Sequence, residues 1–172
     1  MKLRTALLFI LSPLFTGCGY HTAGSATHIP ANVRTLSVPI FATHVQAYRT
    51  EVAFTQAVVR ELNTRTKYRV LNSESPDADA TLNGTILAET ITPLTYDATT
   101  SQTSSYLVSI TAKVVLTAND GRVLYRNNAI TFREQYQSTQ DLSNFIQEDS
   151  PAVTRMSRNF AQAIVSDMLE SF

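Results

Sequence analysis

The sequence is poor in the residues that most catalytic or cross-linked proteins need. Among 172 residues there are one cysteine and three histidines, which excludes a disulfide framework and a zinc cluster of ordinary ligand spacing. Glycine totals five, and none sits in a loop able to cradle phosphate. There is no G-x-S-x-G elbow and no H-E-x-x-H helix. Nor is there an excess of one charge: 14 Lys and Arg balance 14 Asp and Glu. Non-specific nucleic-acid binding draws its affinity from a positive field that releases counterions, and a neutral chain has none to offer. His21 and His28 stand in a polar N-terminal stretch and His44 in a loop, each isolated and each best read as solvated. No convergent set of titratable groups, no cofactor and no metal site emerges, so an enzyme is not expected.

What is present begins with an address. Lys2 and Arg4 give a positive start, Ala6 to Leu11 (ALLFIL) is apolar, and Phe15-Thr16-Gly17 leads to Cys18. The run falls short of the roughly 20 residues a spanning helix needs and has the size of a signal-peptide core. Small residues before the only cysteine resemble a bacterial lipobox, although Phe15 stands where Leu is usual. A buried first helix with a core thiol would leave the charged start and the Gly-Cys junction unexplained. The expectation is a signal peptide over 1–17, an acylated Cys18 carrying palmitate and sibling chains, and a tether over 18–32. Gly19 after the cysteine, rather than Asp, points by the sorting rule to the outer membrane, periplasmic side. Each buried CH₂ of an acyl chain adds about 0.8 kcal/mol, so several chains anchor the protein. Loss of Lys2 and Arg4 with the signal would leave 12 basic and 14 acidic residues, a net −2.

The remainder, 33–172, is long enough for one domain. Leu36, Val38 and Ile40 alternate, predicting a strand that ends at Phe41, with Pro39 marking it as an edge. From Tyr48 to Thr64 the period becomes helical, with Val52, Thr55, Val58, Val59 and Leu62 on one stripe and Phe54 beside it. Gln56, Arg60 and Glu61 turn to solvent. Tyr68 to Leu71 is a short link with strand character. Ala80, Leu82, Gly84, Ile86 and Ala88 then share a face, and Tyr106 through Leu116 alternates more cleanly still. Thr92 to Ser104 between them reads as a polar connection. Asn119-Asp120-Gly121 is a hairpin turn. The returning strand carries Val123 and Tyr125 inward, then Ile130 and Phe132 with the opposite parity, so a bulge is predicted at Asn127-Asn128. Ser150-Pro151 opens a last helix with Val153, Met156, Phe160, Ile164 and Met168 inward. The order β-α-β-β-β-α implies an α+β two-layer sandwich, two helices on one face of a four-stranded mixed sheet.

Two acidic pairs invite functional readings. Glu148-Asp149 precedes a helix, where carboxylates complement the positive end of the dipole. Asp77 and Asp79 lack the ligand spacing of a calcium loop and read as a turn entering a strand.

The ordered set Cys18-Gly19-Tyr20-His21, Val38-Pro39-Ile40-Phe41, the helix TEVAFTQAVVRELNTRTKYRV and Ala78 to Ile86 (ADATLNGTI) resembles the LptE family of outer-membrane lipoproteins. FREQY at Phe132 to Tyr136 and Glu148 to Pro151 extend the likeness. The resemblance implies a non-enzymatic protein that plugs the β-barrel LptD and assists lipopolysaccharide delivery to the cell surface. A plug needs a polar exterior for a polar lumen. The outward strand face holds Thr81, Asn83, Thr85, Ser109 and Thr111, which would serve equally as an ordinary solvated face. Tyr96, Tyr106 and Phe145 are candidate hydrophobic anchors, since a tyrosine buries a large ring and keeps a polar tip. Better-known members carry basic residues, linked to lipopolysaccharide phosphates, in the connection after the second strand and in the one before the last helix. Here Thr92–Ser105 and Tyr136–Ser150 contain no Lys or Arg. The cations left to meet an anionic glycolipid are Lys113, Arg122, Arg126 and Arg133. The competing reading is another outer-membrane lipoprotein of similar build that activates a cell-wall synthase.

Overall fold

The computed structural model describes residues 29–45, 50–96, 103–137 and 151–170. Cys18 and Phe145 lie outside them, as do the signal segment and most of the tether. The elements in order are β1 (Thr35–Ser37), β2 (Ala42–Thr43), α1 (Thr50–Arg65), β3 (Arg69–Leu71), β4 (Ala80–Tyr96), β5 (Thr103–Ala118), β6 (Val123–Gln137) and α2 (Pro151–Glu170). The strands form one mixed sheet ordered β3-β1-β4-β5-β6, with β2 also on β4. β1 and β2 run parallel to β4, whereas β4, β5 and β6 are antiparallel.

The α+β class and the two helices match the sequence reading, and the strand count of four is corrected to six. The anticipated first strand is divided. β1 stops at Ser37 and β2 starts at Ala42, because Pro39 has no N–H to give a ladder. Nor is β1 an edge: it lies between β3 and β4, and Pro39 falls just past its end. The link Arg69–Leu71 is a true strand and takes the edge position. The expected connection from Thr92 is largely ladder, since β4 continues to Tyr96 and β5 begins at Thr103.

One core lies between the helices and the sheet. α1 contributes Phe54, Val58 and Leu62, and α2 contributes Met156, Phe160, Ile164 and Met168, all essentially inaccessible. The core also takes in Ile29 and Val33. Phe160 packs edge-on to Phe41 and Phe132 with centroids 6.1 and 5.4 Å away, and lies 4.8 Å from Phe54. Phe41 reaches this cluster across Gly84, where any Cβ would fall inside its ring. At the far end, Arg65 pairs with Glu61 and Glu170 and donates to Ser166 at 2.5 Å, tying the helix C-termini together. Tyr125 donates to Asp167 of α2 at 2.5 Å; burial, then that carboxylate, raise its phenol well above the ordinary range.

Bulges decide which way the strands face. The ladder of β5 and β6 slips between Ala112 and Val114, where Asn127 and Ile130 take successive partners, as the parity change predicted. Four slips were not anticipated: two lie between Pro93 and Tyr96, and two re-aim residues nearer the helices. One, beside Thr117, turns Val123 outward to 42% exposure although Tyr125 is buried. The other leaves Leu87 as an extra residue between Ile86 and Ala88. Ala88 therefore points away from the core, and Glu89 and Ile91 take the helix side. Glu89 sits opposite Ile110, and its carboxyl is held above the usual range by burial and then by the Glu51 carboxylate of α1. One oxygen of each, Oε2, is buried with no hydrogen-bond partner.

Two tests follow from this packing. Gly84→Ala should cost about 1–3 kcal/mol through overpacking, read by urea unfolding. Phe41→Leu in the same chain should recover part of that loss, because the two sites share one contact. Glu89 favours its protonated form in the folded state. Its contribution is whole below the ordinary value of 4.5 and is lost as pH rises through the raised one. Glu89→Gln should therefore melt higher than the parent at neutral pH, with the difference closing in acid below that ordinary value.

Candidate functional site

Both helices cover the same face of the sheet, so among the described residues the other face of β4, β5 and β6 carries no helix. Alternation along β5 puts Val108, Ile110, Ala112, Val114 and Leu116 under the helices and leaves Leu107, Ser109, Thr111, Lys113, Val115 and Thr117 on the open side. Register then assigns the neighbours. Thr81 lies opposite Thr117, Asn83 opposite Val115, Thr85 opposite Lys113 and Thr90 opposite Ser109. On the other flank Ser109 faces Arg133, Thr111 faces Thr131, and Val115 faces Arg126. Thr111 and Thr131 share a hydroxyl hydrogen bond of 2.9 Å. Most of these side chains are half-buried by one another, while Asn83, Thr90, Arg126, Thr131 and Arg133 are exposed.

The structure thus brings Thr81, Asn83, Thr85, Ser109, Thr111, Lys113, Arg126 and Arg133 onto one surface. It separates three other candidates. Arg122 belongs to the β5–β6 hairpin, where Gly121 has φ 86° and Arg122 pairs with Asp120 at 3.7 Å. Tyr106 is half-buried on the helix side, opposite Pro93. Tyr96 is 65% exposed at the distant end of β4, near Leu94 at 45%. Strands of 15 to 17 residues run about 50 Å, against about 30 Å for the 20-residue α2, and Thr92–Tyr96 are exposed.

The charges on the three long strands are sorted by face. The cations of β5 and β6 are Lys113, Arg126 and Arg133, and all three stand on the open side. The carboxylates are Glu89 and Glu134, and both stand on the helix side. Glu134 accepts from Arg155 of α2 at 2.6 Å. The open face is therefore hydroxyl-rich and positive on a chain of zero net charge. Thr90, Thr92, Thr131 and Gln135 also belong to it. Strict alternation from Ala80 would have put Thr90 and Thr92 inside, and only the slip at Leu87 brings them out.

Asp79 has a structural task. Its Oδ2 accepts the backbone N–H groups of Arg34 and Thr35, each at 2.8 Å, which holds the carboxyl below its ordinary range. Among the described residues no group of three or more His, Cys, Asp or Glu side chains converges, and no helix is long and apolar enough to cross a membrane.

A family model described as LptE, lipopolysaccharide-assembly, matches residues 33–168. Solved structures share the architecture. An uncharacterized lipoprotein B from Nitrosomonas europaea superposes with a TM-score of 0.53 at 11% identity, covering 88% of this chain and 91% of its own. A hypothetical protein from Chlamydia trachomatis gives 0.50 at 11% identity, covering 77% and 94%. The rare lipoprotein B from Shewanella oneidensis gives 0.47 at 13% identity, covering 78% and 93%. For the first two, at these identities, the likeness is one of fold. No curated protein matches the sequence.

Hydroxyls on an exposed strand face contribute little to folding. The double substitution Thr111→Val with Thr131→Val should leave the urea midpoint within about 0.5 kcal/mol of the parent. A larger loss would mean that the domain itself depends on this face.

Proposed function

The chain belongs to the LptE lipopolysaccharide-assembly family, and from that premise we propose that it is an outer-membrane lipoprotein that plugs an LptD-like β-barrel and presents the open sheet face to the lumen and its glycolipid. The sorting of charge on the three long strands carries this reading. Lys113, Arg126 and Arg133 share a face with Thr81, Asn83, Thr85, Ser109 and Thr111, and no carboxylate of those strands joins them. Hydroxyls and amides donate and accept, which suits the polar wall of a barrel. Guanidinium groups match the oxygens of a phosphate with paired N–H donors, which suits the headgroup of lipopolysaccharide.

The positions of the cations also supply what the loops lack. Basic residues are missing from Thr92–Ser105 and Tyr136–Ser150. The open face offers positive charge from within the ladder, Lys113 on β5 between two neighbouring strands and Arg126 and Arg133 on the edge strand β6 paired with β5. Its geometry is more rigid than a loop could provide, and ordering it on binding costs little entropy. The role is one of binding and assembly, with Cys18 as the acylated anchor and Tyr96 and Phe145 as apolar contacts toward the barrel. Tyr106 is half-buried on the helix side, off the open face.

Outer membranes solubilised in mild detergent, with the tagged protein recovered and its companions identified, provide the test. A large barrel at near-equal stoichiometry is the expected outcome, and Cys18→Ala should lower the yield of membrane-borne complex. Lys113→Glu with Arg133→Glu should reduce co-purified lipopolysaccharide by about tenfold, the size of one lost charge-assisted hydrogen bond. Recovery of a cell-wall synthase in place of a barrel would favour the competing reading.

A further inference from the structure

The helical side of the domain carries a second asymmetry. Four arginines project from α1 and α2: Arg60, Arg65, Arg155 and Arg158. Arg65 is paired with Glu61 and Glu170, and Arg155 with Glu134. Arg60 and Arg158 have no ion-pair partner among the described residues, and both line one groove of about 190 Å³ between the helices. Arg60 also closes one end of a larger cleft of about 380 Å³, whose apolar wall is Ile40, Val52 and Val59. Ile40 is 62% exposed, a large hydrophobic side chain left beside an apolar cleft.

An apolar cleft and a two-arginine groove that meet at one residue fit a ligand in which an anion adjoins an apolar chain. The hydrogen-bonding inventory narrows the choice. The cleft is walled mainly by α1, whose backbone groups are committed to the helix. The Thr55 hydroxyl is committed too, since it accepts from the Phe41 N–H and donates to the Glu51 carbonyl. Of the other polar side chains on the groove, Glu61 is paired with Arg65 and the Thr64 hydroxyl donates to the Arg60 carbonyl. The charges left unpaired there, among the described residues, are the guanidiniums of Arg60 and Arg158, with the Thr154 hydroxyl and the amides of Gln56, Asn72 and Gln162 beside them. A phosphodiester is an acceptor-only group, and two guanidiniums without carboxylate partners match it.

We propose that this shoulder of the domain binds an anionic phospholipid, its phosphate against Arg60 and Arg158 and the start of its acyl chain over Ile40, Val52 and Val59. The site is on the helical side, away from the open sheet face. It takes from the proposed function only the anchor at Cys18, which keeps the domain beside a phospholipid leaflet.

Native mass spectrometry of the full acylated chain, released in detergent and titrated with phosphatidylglycerol, phosphatidylcholine or inorganic phosphate, tests it. Saturable binding of phosphatidylglycerol above phosphatidylcholine is expected. Arg60→Gln and Arg158→Gln should each weaken it about tenfold. Ile40→Asn, a change at an exposed position, should weaken it as well, and all three variants should melt with the parent. Equal binding of the two lipids, binding indifferent to these substitutions, or an inorganic phosphate affinity as high as that of the lipid would each overturn the proposal. The mass of the Cys18 adduct is read in the same spectra, so a failure of the anchor reading is distinguishable from a failure of the site.

Discussion

Everything in this domain hangs on the ring of Phe160. It touches Phe54 on α1, Phe132 on β6 and Phe41 in the link between β1 and β2, so one side chain ties both helices to the sheet at two separate places. Rings packed edge-to-face add roughly 0.5–1.5 kcal/mol per pair beyond their buried area, and here two such contacts and a tilted third share one partner. The arrangement demands a gap in β4 for Phe41, and Gly84 is that gap. With the helices fixed to one side, the sheet has one covered face and, among the described residues, one free face. The division of labour between them follows from that.

Much of this was legible in the sequence because its periods are clean. Val108 to Leu116 alternate without a break, and Met156, Phe160, Ile164 and Met168 recur at helical spacing, so strand and helix faces could be assigned before any coordinates. The slip at Asn127-Asn128 was readable because large apolar residues stand on either side of it with opposite parity. The slip at Leu87 was not. Leu87 and Ala88 are both apolar, Glu89 and Thr90 are both polar, and an extra residue among them disturbs no visible pattern. Its consequence is chemical: it carries Glu89 under α1 and releases Thr90 to the open side. Short strands were the other gap. Leu36, Val38 and Ile40 alternate and Tyr68–Leu71 has strand character, but β1, β2 and β3 have only two or three residues each, and pairing with β4 and with one another divides the first run and places the last.

The candidate surface was partly legible for the same reason. Side chains opposite a buried row on a long strand are outward by geometry, which fixed Ser109, Thr111 and Lys113. Placing Arg126 and Arg133 with them required the register of β6, which two bulges control. Tyr106 shows the limit of residue type as a guide: it shares the parity of Val108 and so turns toward the helices. The unpaired arginines of the helical side were out of reach. Whether an arginine has a carboxylate beside it depends on contacts such as Arg155 with Glu134 and Arg65 with Glu170, which join residues far apart in the chain.

The charge on the open face is better explained by an external partner than by the stability of the sheet. Cross-strand pairs of opposite sign contribute roughly 0.2–1 kcal/mol each, and an exposed three-stranded ladder has room for several. This one uses none: Lys113 lies opposite Thr85, Arg126 opposite Val115 and Arg133 opposite Ser109. The cations are spaced so that no two stand directly across from each other, which limits their repulsion without neutralising it. At physiological salt the resulting field decays within about 8 Å, too short to steer a distant partner. It acts at contact range, on an anion brought against the sheet. A neutral chain that keeps three strand cations on one face and both strand carboxylates on the other has forgone its own cross-strand ion pairs and kept positive charge for whatever the open face meets.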